Sequence, residues 1–206
     1  MNTERSEGKK MTSIQIKVPN WLDRIFAWPA MVYRRRKYGY EFRRIYLGEG
    51  IWTIVDAEDF YRFNYYHWCR KGNDPRIYAV RLVSDSQNRP KILSLHREIM
   101  RPHRRLLVDH RNGDSLDNRR ANLRFATHAQ NSYNNRKRKN ASSQYLGVSF
   151  EKPTQNWAAQ IKHKGKHIWL GRFKNEIEAA RVYDIAAKKY RGEFARLNFP
   201  GPADSV

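Results

Sequence analysis

Between Ile45 and Met100 short β-branched and aromatic runs alternate with polar or glycine breaks. IYLGEGIWTIVD reads as a strand, a glycine turn and a second strand. AEDFYRFNYYHW suggests a short helix, and IYAVRLV and KILSLHREI read as further strands around the turn-rich SDSQNRP. An apolar run then meets VDHRNGD, and LRFATHAQNSYNN turns helical in its later part. After RKRKNASS, which has no apolar anchor, the pattern begins again. YLGVSF, WAAQIKH and HIWLGRF are three short strands, the last two joined by a turn through Lys164-Gly165. Asn175 opens a helix with Glu178 placed as in a capping box, and Gly192 ends it. Ala179, Val182, Ala186 and Tyr190 share one side of that helix, where small alanines allow close approach to a sheet. Both halves are of the α+β class.

At the other end, residues 1–13 are polar and expected to be disordered. WLDRIFAWPAMVY predicts a short amphipathic helix before Pro29, running into Arg34-Arg35-Arg36-Lys37. That cluster suits either phosphate contact or a solvated basic face, with a membrane-surface helix as a third reading.

Charge narrows the partner. The chain has 206 residues, and 41 Lys+Arg against 20 Asp+Glu give a net +21. Residues 1–141 carry +16 of it and residues 142–206 carry +5. With 40% hydrophobic residues the chain can build real cores, so the charge is displayed on folded modules, and a polyanion such as nucleic acid is the natural partner. The single cysteine, Cys69, excludes an internal disulfide and every Cys-based zinc site. No apolar run approaches the roughly 20 residues of a membrane span. An intracellular protein without a membrane or an obligate protein partner is expected.

Asp109-His110 is the chemically suggestive pair. A solvated loop would explain it, and so would a phosphodiester site. Such a site needs an activated water and a cation that stabilises growing charge. Asp109 supplies a hard oxygen for a cation, and His110 has an unperturbed pKa, about 6.5, that suits proton abstraction. Asn131 offers an amide oxygen, and Asn122 is placed to brace the loop near His110.

LSLHREIM and LLVDHRNGDSLDNRRANLRFATHAQNSYNN, over about residues 92–135, resemble the HNH endonucleases of phage and mobile elements. The name-giving letters fall on His110, Asn122 and Asn131, with Asn where other branches end in His. The resemblance implies a ββα-metal core in which His110 and Asn122 are catalytic, and Asp109 and Asn131 hold Mg²⁺ (or Mn²⁺). His96 matches a structural or phosphate-proximal position. Arg111, Arg119, Arg120, Arg124, Arg136, Lys137 and Arg138 are the basic residues expected on DNA from this half.

SSQYLGVSFEKPTQNWAAQIKHKGKHIWLGRFKNEIEAARVYDIAAKKYRGEFARLNFP resembles the AP2/ERF DNA-binding domain throughout. The marks are Tyr145-x-Gly147-Val148, Trp157-Ala158-Ala159-x-Ile161, Trp169-Leu170-Gly171-x-Phe173, Ala179-Ala180-Arg181-x-Tyr183-Asp184 and Leu197-Asn198-Phe199-Pro200. This implies a three-stranded antiparallel sheet on one helix, with the open face in the major groove. Strand alternation independently turns Ile161, Ile168 and Leu170 inward and Gln160, Lys162, His167 and Trp169 outward. Lys164, Lys166 and Arg172 extend that basic face. The plant domains have arginines around the first-strand glycine, where this chain has Leu146 and Ser149, so base specificity is expected to be weaker or different.

The expected organisation is a basic segment over residues 1–40, an HNH nuclease domain over 41–138 and an AP2/ERF-like domain over 142–201. The leading functional expectation is a metal-dependent endonuclease on double-stranded DNA, in the cytoplasm or nucleoid of a bacterium or phage-infected cell. The alternatives are a catalytically silent DNA-binding regulator that keeps the HNH fold, and an RNA-binding protein.

Overall fold

The computed structural model describes residues 20–74, 76–133 and 141–201. The chain divides into two compact units, residues 1–41 and 42–206.

In the first unit, α1 spans Asn20–Tyr38 and buries none of its residues. The expected helix end at Pro29 is corrected, because α1 runs through it. Proline removes one backbone donor, and flanking Trp28, Ala30 and Met31 keep the helical path.

The second unit opens with an antiparallel hairpin, β1 (Arg43–Gly48) and β2 (Ile51–Val55). Ile45, Leu47, Thr53 and Val55 point into the core. Tyr46 and Trp52 pair across the strands on the outer face, with ring centroids 4.7 Å apart. Helix α2 (Ala57–Phe63) follows, then a three-stranded sheet in the order β3 (Cys69–Lys71), β4 (Tyr78–Ser84), β5 (Pro90–Ser94). KILSLHREI is not one strand. It changes at Ser94 into α3 (Leu95–Met100), because Leu95 and Ile99 lie four apart and bury together, a helical spacing.

A second hairpin, β6 (Leu107–His110) with β7 (Leu123–Ala126), leads to α4 (His128–Tyr133). This half shares one core, in which Ile45, Val55, Trp68, Leu95, Val108 and Leu123 meet.

The C-terminal half is a sheet of β8 (Val148–Glu151), β9 (Asn156–His163) and β10 (Lys166–Phe173), ordered β10-β9-β8, with α5 (Glu176–Arg191) across it. Asn175 caps α5, its Oδ1 accepting from the Ile177 amide at 2.8 Å. Ala179, Ala180, Ala186 and Ala187 are buried against Val148, Ala159 and Ile161. The packing is close enough that Gly147, at φ +70°, admits no side chain. A Cβ there would sit 2.0 Å from the Tyr183 ring.

The last segment is pinned back on this fold. Asp184 accepts the backbone amides of Asn198 (2.8 Å) and Phe199 (2.9 Å). The Asn198 side chain reciprocally bonds the Leu146 amide and carbonyl. Mixed α+β architecture with antiparallel sheets is therefore what the chain adopts, as its patterning predicts.

Candidate nucleic-acid interface

Two places gather the predicted functional side chains. The first is the outer face of the β8-β9-β10 sheet. Cross-strand register pairs Trp169 with Gln160 and His167 with Lys162, so four outward side chains form one patch. All four are exposed, while Ile161 between them is buried. Lys164 and Lys166 stand exposed at the β9-β10 turn. Arg172 is partly committed: its Nε donates to Glu151 at 2.6 Å, and its guanidinium lies 5.0 Å from the Trp169 ring. The patch thus offers lysine charge around a half-exposed indole, a combination suited to phosphate and sugar or thymine methyl contact.

The second place is a cleft of about 390 Å³ whose lining includes Arg76, Tyr78, His96, Arg97, Asp109, His110, Asn131 and Arg196. Its floor is built by the loop after β6. The backbone of Ile54 on β2 bonds Leu116 and Asn118, and Thr53 Oγ1 donates to the Leu116 carbonyl. Asn122, fully buried, accepts from the Asn112 amide at 3.0 Å and donates to the Asp117 carbonyl at 2.8 Å, tying both ends of the turn.

His110 is buried, and its Nε2 lies 3.3 Å from Asn118 Oδ1. Thr53 donates its hydroxyl proton to Leu116, so it accepts from Asn118 Nδ2 at 2.7 Å. That fixes the Asn118 amide with its oxygen toward His110, which places the imidazole proton on Nε2 and the lone pair on Nδ1. Burial lowers the pKa of His110. His96 packs against it with ring centroids 5.2 Å apart, and burial, with the neighbouring His110 and Arg97 charges, pushes His96 down to about 3.

Asp109, His110 and, from α4, Asn131 line the same cleft. Asp109, however, pairs in register with Arg124, whose Nε and Nη2 both donate to Asp109 Oδ2, at 2.9 and 2.8 Å. Both side chains are buried, so one guanidinium compensates the carboxylate charge. A hard divalent cation prefers uncompensated oxygen donors, and one ion-paired carboxylate with one amide oxygen fits it poorly. Among the described residues no group of three or more His, Cys, Asp or Glu gathers as metal ligands.

The first-half arginines expected on DNA are largely used internally. Arg119 is buried and bidentate to Asp117, and Arg124 is buried on Asp109. Arg120 holds Asp59 through two bonds of 2.8 Å, and Arg111 pairs with Glu193 at 3.0 Å. Each of these carboxylates lies far along the chain except Asp117, and spacing alone gave no sign of them. Arg136, Lys137 and Arg138, like residues 1–13, lie outside the described residues. Sequence reasoning missed Arg76, Arg97 and Arg196, which reach the cleft from three separate segments. It also missed the exposed Arg101, Arg104 and Arg105 of the loop after α3, whose signal was the RPHRR run itself.

Comparison with known proteins follows this division. A model described as the AP2 domain matches residues 143–193, and one described as HNH endonuclease matches residues 102–133. An AP2/ERF and B3 domain-containing protein of rice is 50% identical over 65 residues, covering 32% of this chain and 18% of its own length. An Arabidopsis thaliana AP2/ERF and B3 domain-containing transcription repressor is 42% identical over 76 residues, covering 37% and 21%. An Arabidopsis AP2/ERF and B3 domain-containing transcription factor is 47% identical over 62 residues, covering 30% and 18%. The chain spans about a fifth of the length of these relatives.

Two expectations are thereby corrected. The endonuclease, and with it the assignment as an enzyme, is overturned by relatives named as a transcription factor and a transcription repressor. Placement in a bacterium or phage-infected cell is overturned by the same plant proteins, named as a transcription repressor and a transcription factor. The family match and the sheet-on-helix architecture agree: residues 143–193 of this chain are an AP2 domain.

Proposed function

We propose that this protein is a non-enzymatic regulator that binds double-stranded DNA in the nucleus through the outer face of β8-β9-β10. The observation that carries the reading is the four-residue patch of Gln160, Lys162, His167 and Trp169, exposed and held in register on an AP2 domain. Lysine contacts position the sheet on phosphates, and the indole and amide sit where base edges pass in a major groove. Leu146 and Ser149 on the first-strand side favour a target different from that of the plant domains.

In this reading the domain over residues 41–138 resembles an HNH fold kept as a positioning module. Its support is the Arg124–Asp109 pair, which neutralises the single carboxylate of the cleft pair. Magnesium or manganese then acts on DNA affinity only as a counterion that competes for phosphates.

The test is fluorescence anisotropy of the full chain on labelled duplex DNA and on duplex RNA of equal length, at stated salt, with Mg²⁺ and with chelator. Binding should favour DNA, strengthen on chelation no more than an ionic-strength control does, and leave both strands at full length after prolonged incubation. Strand scission with Mg²⁺ or Mn²⁺ would overturn the regulator reading. Equal affinity for RNA would remove the duplex-DNA assignment.

A further inference from the structure

Just past α5, the turn Gly192–Phe194 leaves the AP2 domain and reaches the β6-β7 hairpin. Phe194 is buried, yet it belongs to neither core cluster of the C-terminal half. Its ring lies 3.9 Å from the Arg124 guanidinium, a cation–π contact in a desolvated place. Arg124 Nη1 also donates to the Glu193 carbonyl, and Arg111 Nη1 pairs with the Glu193 carboxylate at 3.0 Å. On the same side Arg191 lies over the Tyr133 ring of α4 at 4.6 Å. Four contacts therefore cross between segments 58 to 82 residues apart, all onto one hairpin and the helix that follows it.

We propose that Glu193 and Phe194 form a latch that fixes the AP2 domain on the β6-β7 hairpin, so that both halves meet one duplex in a single set orientation. A flexible connection needs no buried aromatic, and a buried phenyl held by a guanidinium has one productive position. Arg124 is the centre of the device because its three nitrogens serve both sides at once. Nε and Nη2 hold Asp109 on the hairpin, while Nη1 holds the Glu193 carbonyl. The cleft residue Arg196 stands two positions after Phe194, so the latch also sets where that cation lies. Fixed linkage raises the effective concentration of the first half beside DNA already held by the sheet. That consequence rests on the DNA-binding reading, whereas the latch itself does not.

The test uses spin labels on the full chain. Cys69, the single cysteine and exposed, takes one label, and Lys152→Cys on the exposed end of the AP2 sheet takes the other. Electron–electron double resonance should give one narrow distance distribution. Phe194→Ala and, separately, Tyr133→Ala should broaden it severalfold, with Phe194→Leu intermediate and circular dichroism unchanged. Tyr133 lies outside the core clusters, so its variant keeps the test decisive if Phe194→Ala does not fold. A broad distribution in the starting protein, or a narrow one in both alanine variants, overturns the latch. On DNA, Phe194→Ala should retain the sheet's footprint, lose flanking protection, and bind about tenfold more weakly. Failure of the starting protein to bind duplex DNA would count against the DNA-binding reading and leave the distance result standing.

Discussion

Arg124 shows how one side chain changes the meaning of its neighbours. Beside a bare carboxylate, a buried histidine would sit in a negative site. With the guanidinium in place, Asp109 is charge-balanced. Breaking a buried pair by removing one partner costs about 3–5 kcal/mol, because the other charge stays buried. Arg124→Ala should therefore lower stability in urea by that order, and adding Asp109→Asn should recover part of the loss. A loss under about 1 kcal/mol would mean that the pair is not held in solution. His96 gives a second residue-level expectation. Its pKa falls to about 3 in the fold, mainly through burial, against an ordinary value of 6.5. The folded state then binds fewer protons than the unfolded chain, so stability is full above about pH 6.5 and declines as pH falls toward 3. Burial moves His110 in the same direction. Replacing His96 by Phe should flatten the decline between pH 6.5 and 4.5 by about 1.4 kcal/mol per pH unit at most. Urea midpoints at three pH values measure it, and parallel curves would refute the shift.

At the scale of elements, legibility depended on whether the signal was local. β8, β9, β10 and α5 follow from alternation, a tight turn and an Asn cap, all carried within a few residues. The outward patch followed from the same alternation. KILSLHREI misled because a short apolar run reads equally as strand or helix, and the switch at Ser94 is decided by Leu95 and Ile99 packing into a distant core. The surroundings of the Asp109-His110 pair were hidden for a related reason. Motif spacing gave the side chains their neighbours along the chain, but Arg124 across the hairpin and Thr53 on β2 are contacts of register and tertiary packing. Gly147 is an intermediate case: its place in the motif was visible, and its cause, the Tyr183 ring above it, was not. Gly147→Ala adds both a positive-φ strain and a contact no side chain tolerates. It should unfold the AP2 half while leaving the near-ultraviolet signal of Trp52 and Trp68 in place; retention of the native melting curve would show that β8 can move away from α5.

For the whole molecule, the question is how much of the net +21 meets DNA. Internal pairing leaves that net charge unchanged but decides which cations are available, since Arg70, Arg81, Arg89, Arg111, Arg119, Arg120, Arg124 and Arg172 each hold a carboxylate. Each phosphate neutralised contributes about −0.9 to the slope of log affinity against log salt concentration. The sheet alone, through Lys162, Lys164 and Lys166, should thus give a slope near −3, on the order of one unit per lysine. The exposed Arg101, Arg104 and Arg105 can add about three more units, but only if their half is held against the same duplex. Salt titrations of the full chain therefore separate two arrangements. A slope near −6 in the starting protein, falling to about −3 in Phe194→Ala, is the outcome expected of a latched pair. Lys162→Ala should remove about one unit from either protein, and Trp169→Ala should weaken binding at every salt without changing the slope, because an indole releases no counterion. A slope near −3 that is indifferent to Phe194 would confine DNA contact to the AP2 sheet and leave the basic loop after α3 facing solvent.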